Sequence, residues 1–320
     1  MTSRSGRGID SRIRGNAVRV SIPTDSSGSF RRHGPRFTDR VVADPQDSHQ
    51  WPAEPGRYRL VVSLACPWAH RSVIVRRLMG LEDAISLAIT DPIQDERSWR
   101  FTLDDDGVDP VLGIRYLEEA YLARDPENGL SNGVSVPAIV EESTGLLVTN
   151  DFPMITLDLG IEWAKYQREG APTLYPEDQR AEIDELNEGV FHDVNNGVYK
   201  AGFASSQNAY ETAYAALFAR LDELDERLEN RRYLLGDVLR CAHTSRLPPL
   251  TCVIFGVMTP NITHMASGGS GRNGAASGSG GVPSPKGEPP ISSRWWGSSH
   301  ADGSGPSGTT CVGLIPVCTW

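Results

Sequence analysis

Apolar residues along the chain keep a short period early and a helical period later. Tyr58-Arg59-Leu60-Val61-Val62-Ser63-Leu64 is a β-rich run behind Gly56, and Ala84-Ile85-Ser86-Leu87-Ala88-Ile89-Thr90 is a second, closed by Asp91-Pro92. Between them Pro67 to Met79 suits a helix, with Pro at its first position and Gly80 just past its end. Together they predict a βαβ unit. Residues 93–132 are polar apart from a helix-like stretch, Tyr116 to Ala123. Val134-Ser135-Val136-Pro137-Ala138-Ile139-Val140 and Gly145-Leu146-Leu147-Val148-Thr149 predict a hairpin. Pro137 has no N–H for a ladder, which places it at a strand edge or in a cis bond. Further on, Glu177 to Asn195 and Ala209 to Leu228 repeat apolar residues at three and four, so the second part reads as all-helical. In the latter, Tyr210, Tyr214, Leu217, Leu221, Leu224 and Leu228 form one stripe, read as core packing. Residues 1–56 alternate Arg, Ser, Gly and Pro without a period and read as an extended arm. These patterns divide the chain into the arm, an α/β domain over 57–160, a partial helical domain over 161–237 and a tail over 238–320.

Composition changes the picture chiefly at the two ends. In the tail Gly, Ser, Pro and Thr dominate, and such a stretch cannot bury enough surface to offset chain entropy, so it is expected to be disordered. Yet it also carries Trp295, Trp296, Trp320, Cys241, Cys252, Cys311 and Cys318, which a linker rarely contains. With 28 Arg against three Lys in the whole chain, that mixture fits a GC-rich gene read out of frame beyond Asp237. The net charge of −10 hides nine Arg against three acids in residues 1–40. The acidic body argues against a nucleic-acid partner, because phosphate binding needs clustered cations. An Arg- and Ser-rich, acid-poor head has the composition of a mitochondrial transit peptide, or of a plain solvated arm on a cytoplasmic protein. No run of about 18 apolar residues occurs, so no membrane span is expected.

The chemistry concentrates at Cys66, where the first strand meets the first helix in Ser63-Leu64-Ala65-Cys66-Pro67-Trp68-Ala69-His70-Arg71. A helix N-terminus offers unpaired N–H groups and a positive dipole end, which together favour the nucleophilic thiolate. No second Cys stands three residues on, and none other precedes the tail, so the chemistry is monothiol. No clustered His and Cys set suggests a metal.

The stretch Cys66-Pro67-Trp68-Ala69-His70 resembles the glutathionyl-hydroquinone reductases, the Xi class of glutathione transferases; omega-class transferases carry Cys-Pro-Phe or Cys-Pro-Tyr there. Two further blocks resemble the family: Ile183-Asp184-Glu185-Leu186-Asn187 with Val194-Asn195-Asn196-Gly197-Val198-Tyr199-Lys200-Ala201-Gly202-Phe203-Ala204, and Ser27-Gly28-Ser29-Phe30-Arg31-Arg32. The resemblance implies a thioredoxin-like N-terminal domain and an all-helical glutathione-transferase C-terminal domain, here truncated. It implies glutathione as co-substrate without a metal, aromatic hydroquinone conjugates as substrates, and a homodimer weakened by the altered C-terminus. It implies Cys66 as nucleophile and Tyr199 as general acid. Trp99 matches a glutathione contact, and Val134, Ser135 and Val136 match the segment that takes glutathione as an added strand. Dehydroascorbate reduction or deglutathionylation by an omega-like enzyme is the second reading, and a non-catalytic glutathione-binding remnant the third.

Three departures bear on the remnant reading. Where the family has Glu-Ser at the start of the helix after the hairpin, holding the γ-glutamyl end of glutathione, this chain has Asp151 and Phe152. Gly133 stands where the family has Arg, and no Tyr follows Tyr233 to supply the family's C-terminal Tyr residues. Weak or absent turnover is the expectation for this exact chain.

Overall fold

The computed structural model describes residues 23–240. Its central strand, Tyr58–Ser63, is buried at all six positions because it has a strand on each side. Numbered from the N-terminus, the strands are β1 (Arg40–Val42), β2 (Gln50–Pro52), β3 (Tyr58–Ser63), β4 (Ile85–Thr90), β5 (Ala138–Glu141) and β6 (Leu147–Thr149). The helices are α1 (Pro67–Met79), α2 (Glu118–Arg124), α3 (Phe152–Ile161), α4 (Arg180–Val190), α5 (Gly197–Gly202) and α6 (Gln207–Leu228). The sheet runs β4-β3-β5-β6. β4 lies parallel to β3, Leu60 opposite Leu87, while β5 is antiparallel to β3, Leu60 opposite Ile139. The βαβ unit is therefore present, and Gly80 closes α1 in the left-handed conformation at φ 69°. α1 and α3 pack side by side, and α2 packs on β6. Tyr58, Leu60, Met79, Phe101, Tyr121, Leu147 and Trp163 are fully buried around these layers. This is the thioredoxin-like α/β arrangement, followed by helices.

The N-terminal stretch corrects the expectation of a free arm before residue 57. From residue 23 onward it is built into the body. Thr24 bridges Phe30 across a tight turn, and Gly28 sits at φ +86°. A Cβ there would meet Ser205 Oγ and the Ser206 nitrogen at 2.9 Å, so only hydrogen fits. Ser205 N–H donates to the Gly28 carbonyl at 2.9 Å and Ser206 Oγ to the Ser27 carbonyl at 2.7 Å. The same Ser206 caps α6 by accepting from Ala209 N–H. Farther on, Phe37 exchanges hydrogen bonds with Asn150, and Thr38 bridges Thr149 beside β6. Arg40 grips Asp158 of α3 through both carboxylate oxygens. Burial still pushes the Asp158 carboxyl up to about 6. β1 and β2 pair in parallel within the supposed arm. Strands of three residues are too short to show a period, which is why the pattern missed them.

Three further expectations shift. The first hairpin strand starts after Pro137, whose bond to Val136 is cis, so Val134–Val136 lie outside the ladder. The helix expected from Glu177 to Asn195 divides into a 3-10 turn (Glu177–Gln179), α4 and a π-helical turn (Phe191–Asn195), and α5 follows beyond it. On α6 the buried stripe is Ala209, Ala213, Leu217, Leu221 and Leu224. Tyr210, Tyr214 and Leu228 are only half-buried, displaced to its flank. Residues 1–22 and 241–320 lie outside the described residues, and with them most of the Arg-rich head, nearly all of the expected disordered tail, and its Cys and Trp residues.

Candidate active site

β3 ends at Ser63, and two residues later the chain turns into α1 with Cys66 at the cap position, φ −94° and ψ 111°. Its Sγ donates to the Val136 carbonyl at 3.4 Å. The thiol thus lies between the head of α1 and the segment before the cis proline. The N–H groups of Ala69 and Trp68 and the charge of Arg32 all pull the thiol toward ionisation. Burial pushes it up and outweighs them. This runs against the sequence-based expectation of a thiolate: the helix terminus favours the anion, but the atoms packed around the sulfur partly desolvate it. His70, one turn along, is held below its usual value by desolvation and by Arg77.

The Val134–Val136 segment is braced from three elements. Trp99 Nε1 and Gln94 Nε2 donate to the Val134 carbonyl at 3.2 and 3.3 Å. The Tyr121 hydroxyl donates to the Ser135 carbonyl at 2.8 Å and accepts from the Ser135 N–H at 3.2 Å. Asn150 Nδ2 reaches Ser135 Oγ at 2.9 Å. Ser135's main chain is therefore committed to Tyr121, and Val136 is the residue of the three that faces the sulfur. Trp99 has its indole N–H on the protein's own backbone, a bracing position as well as a wall.

Asp151 caps α3, accepting from Met154 N–H at 3.3 Å, and burial raises its carboxyl. Phe152 begins that helix with its ring 4.5 Å from Trp68 and 6.4 Å from Phe191, so an aromatic cluster closes the space beside the α3 terminus. Tyr199, on α5, is brought to the same place: Trp68 Nε1 donates to its hydroxyl at 3.1 Å. Its ring packs on Phe30 and Phe203, with centroids 6.1 and 5.9 Å away. The π-helical turn just before α5 sets the phase that turns Tyr199 toward Trp68 and Asn196 toward the N-terminal segment.

All eight residues singled out in the sequence thus gather around two helix termini and the cis-proline segment. Four others were missed as members of the site: Arg32, Tyr121, Asn150 and Gln94. Phe30 and Arg32 carried a faint signal, since residues two apart in extended chain share a face. Arg32 lays its guanidinium 4.3 Å from the Tyr199 ring centre and 4.8 Å from that of Trp68. Among the described residues, no group of three or more His, Cys, Asp or Glu could hold a metal, and no helix is long and apolar enough to cross a membrane.

No family model matches the chain. Among curated proteins it is 37% identical over 220 residues to the glutathionyl-hydroquinone reductase YqjG of Escherichia coli, covering 67% of this chain and 66% of that protein. Among solved structures it is similar to a glutathione transferase from Gordonia bronchialis, at 50% identity and TM-score 0.66, covering 72% of this chain and 70% of the other. It also matches the Xi glutathione transferase of Phanerochaete chrysosporium, at 36% identity and TM-score 0.66, covering 71% and 73%. The chain spans 66% of the length of that reductase and 62% of the glutathionyl-hydroquinone reductase PcpF of Sphingobium chlorophenolicum, to which it is 39% identical over 200 residues. Sequence likeness and fold, together with a cysteine at a helix head beside a cis proline, place the chain in the Xi class of glutathione transferases.

Proposed function

We propose that the protein reduces glutathionyl-hydroquinones to hydroquinones, using glutathione as co-substrate. The observation that carries this reading is Cys66 Sγ at the head of α1, against the Val136 carbonyl, with Trp68 linking that helix to the Tyr199 hydroxyl. Glutathione is a peptide, and Val136 offers it an edge on which to lie as an added strand. Its cysteine would then rest beside Cys66, and its γ-glutamyl end near Asp151 and Phe152. Trp99 supports this by holding Val134 in place.

In the first step the Cys66 sulfur attacks the sulfur of the conjugate. A disulfide forms, the aryl carbon–sulfur bond breaks, and its electron pair goes to the ring carbon. Tyr199 protonates that carbon, a transfer worth roughly 10²–10⁴-fold in rate. A second glutathione thiolate attacks the mixed disulfide, releasing glutathione disulfide and the Cys66 thiolate. Because burial keeps the resting thiol protonated, the first step is expected to accelerate as pH rises. Such exchange needs a pool of reduced glutathione, which suits a reducing compartment such as the cytoplasm.

The test is intact-mass measurement after exposure to a glutathionyl-hydroquinone, with chromatography of the released hydroquinone. Wild type is expected to show a glutathione adduct mapped to Cys66, and Cys66→Ser none. A wild-type protein that reaches neither adduct nor product at alkaline pH would overturn the reading.

A further inference from the structure

Arg31 and Arg32 are neighbours with different surroundings. Arg31 is exposed, whereas Arg32 is half-buried and spans the junction between the N-terminal segment and the helices. Its Nε donates to Asn196 Oδ1 at 2.6 Å, and Asn196 is itself buried just after the π-helical turn. Its guanidinium carbon stands 4.3 Å from the Tyr199 ring centre, 4.8 Å from Trp68 and 5.6 Å from Phe30. The seat is anchored upstream by the Gly28–Ser205 and Ser27–Ser206 hydrogen bonds. A long flexible cation held by stacking and a short hydrogen bond has a fixed place for its charge.

We propose that Arg32 is a positioning residue of the reaction, a positive charge set over the Tyr199 ring and beside Trp68 so as to favour both anions that the chemistry makes: the sulfur of Cys66 and the phenolate of Tyr199 after proton donation. The inference rests on the reading of Cys66 as nucleophile and Tyr199 as acid. The charged and titratable groups around the sulfur are few. His70 follows on α1, held toward neutrality by desolvation and Arg77. Asp151 heads α3 and answers to Arg40. Tyr199 comes from α5. Arg32 stands over the ring of Trp68, two residues along from Cys66, where its charge favours ionisation of the thiol against burial.

The test uses the full chain as wild type, Arg32→Gln and Arg32→Lys, and follows alkylation of Cys66 by iodoacetamide against pH by intact mass, beside turnover of a glutathionyl-hydroquinone. Arg32→Gln is expected to slow alkylation near pH 7.5 by about 3- to 10-fold and to move the profile to higher pH. Arg32→Lys, which keeps the charge, is expected to stay within about twofold of wild type. Hydroquinone release should fall further in Arg32→Gln than alkylation does, since turnover makes two anions beside the charge and alkylation only one. Coincident profiles for wild type and Arg32→Gln would overturn the proposal, as would an equal shift in Arg32→Lys. Should Arg32→Gln fail to fold, Arg32→Met, which keeps an apolar stem against the rings, gives the same reading. Alkylation involves no conjugate, so a wild type that forms no glutathione adduct sinks the functional reading separately, while a shifted Arg32→Gln profile still supports the placed charge.

Discussion

The sheet half and the helical half of the molecule bury their side chains differently. In the sheet half, β3 is enclosed on all six positions, and α1 and α3 close over the apolar layer. In the helical half, the 22-residue α6 buries a single narrow stripe whose first two members are alanines. Its large rings, Tyr210, Tyr214 and Phe218, stack along the flank at 5.8 and 4.5 Å and stay half-buried. The first half is therefore a rigid frame and the second a less deeply packed attachment. Cys66, Val136 and Asp151 belong to the frame, whereas Tyr199 belongs to the attachment. Covalent capture of glutathione should depend on the frame, and completion of turnover on the attachment.

Replacing Tyr199 with Phe divides the two roles. Hydroquinone release from the conjugate is expected to fall roughly 10²–10⁴-fold, while Cys66 takes the same adduct from glutathione disulfide, which needs no ring protonation, at nearly the wild-type rate. Equal losses in both reactions, measured by quenched-flow mass spectrometry, would erase the division. Packing is tested by paired truncations. Leu60→Ala, in the middle of β3, should cost about 3–4 kcal/mol, and Leu217→Ala on α6 about 2 kcal/mol, because the looser half can relax into the cavity. Urea midpoints would reveal the difference, and equal costs would count against it. Phe152→Ser restores a hydroxyl at the head of α3. A hydrogen bond to a charged group is worth roughly 1.5–3 kcal/mol, so the KM for glutathione should drop about tenfold or more. The same change removes the 4.5 Å contact with Trp68, and a melting temperature lowered by a few degrees should accompany it.

The smallest effect expected is a pH dependence of stability. Burial raises the Cys66 thiol above its ordinary value, so the unfolded chain loses this proton before the folded one. The contribution is intact below the ordinary thiol value, about 8.5, and is lost as pH rises through the folded value. Cys66→Ala should flatten that alkaline decline in thermal melts.

Much of the frame was legible in the sequence because its signals are local. Pro67 and Gly80 bracket α1, and the apolar runs of β3 and β4 are long enough to show themselves. The site was legible at Cys66 for the same reason, and at Tyr199, Trp99 and the Val134–Val136 segment through resemblance to a family. What stayed hidden depends on contacts distant in sequence. Arg40 meets Asp158 across 118 positions, and Phe37 meets Asn150 across 113; neither residue advertises its partner. The α6 stripe keeps Leu217, Leu221 and Leu224 but begins with Ala209 and Ala213 in place of Tyr210 and Tyr214, because small side chains fit where the helix packs closely. The thiol's direction was misjudged for a related reason: a helix terminus is visible in one dimension, whereas desolvation is a property of everything that folds around it.

The contact between Arg32 and Asn196 spans 164 residues, and that span has a bearing on how the protein is made. At typical elongation rates of about 5–20 residues per second, the cation would emerge from the ribosome roughly 8–30 seconds before its acceptor. The frame can assemble first around β3, with its cysteine already in place and Tyr199 not yet beside Trp68. A nascent chain would thus carry its thiol before the acid and the cation that complete the site, and cellular oxidants or glutathione would meet it in that interval.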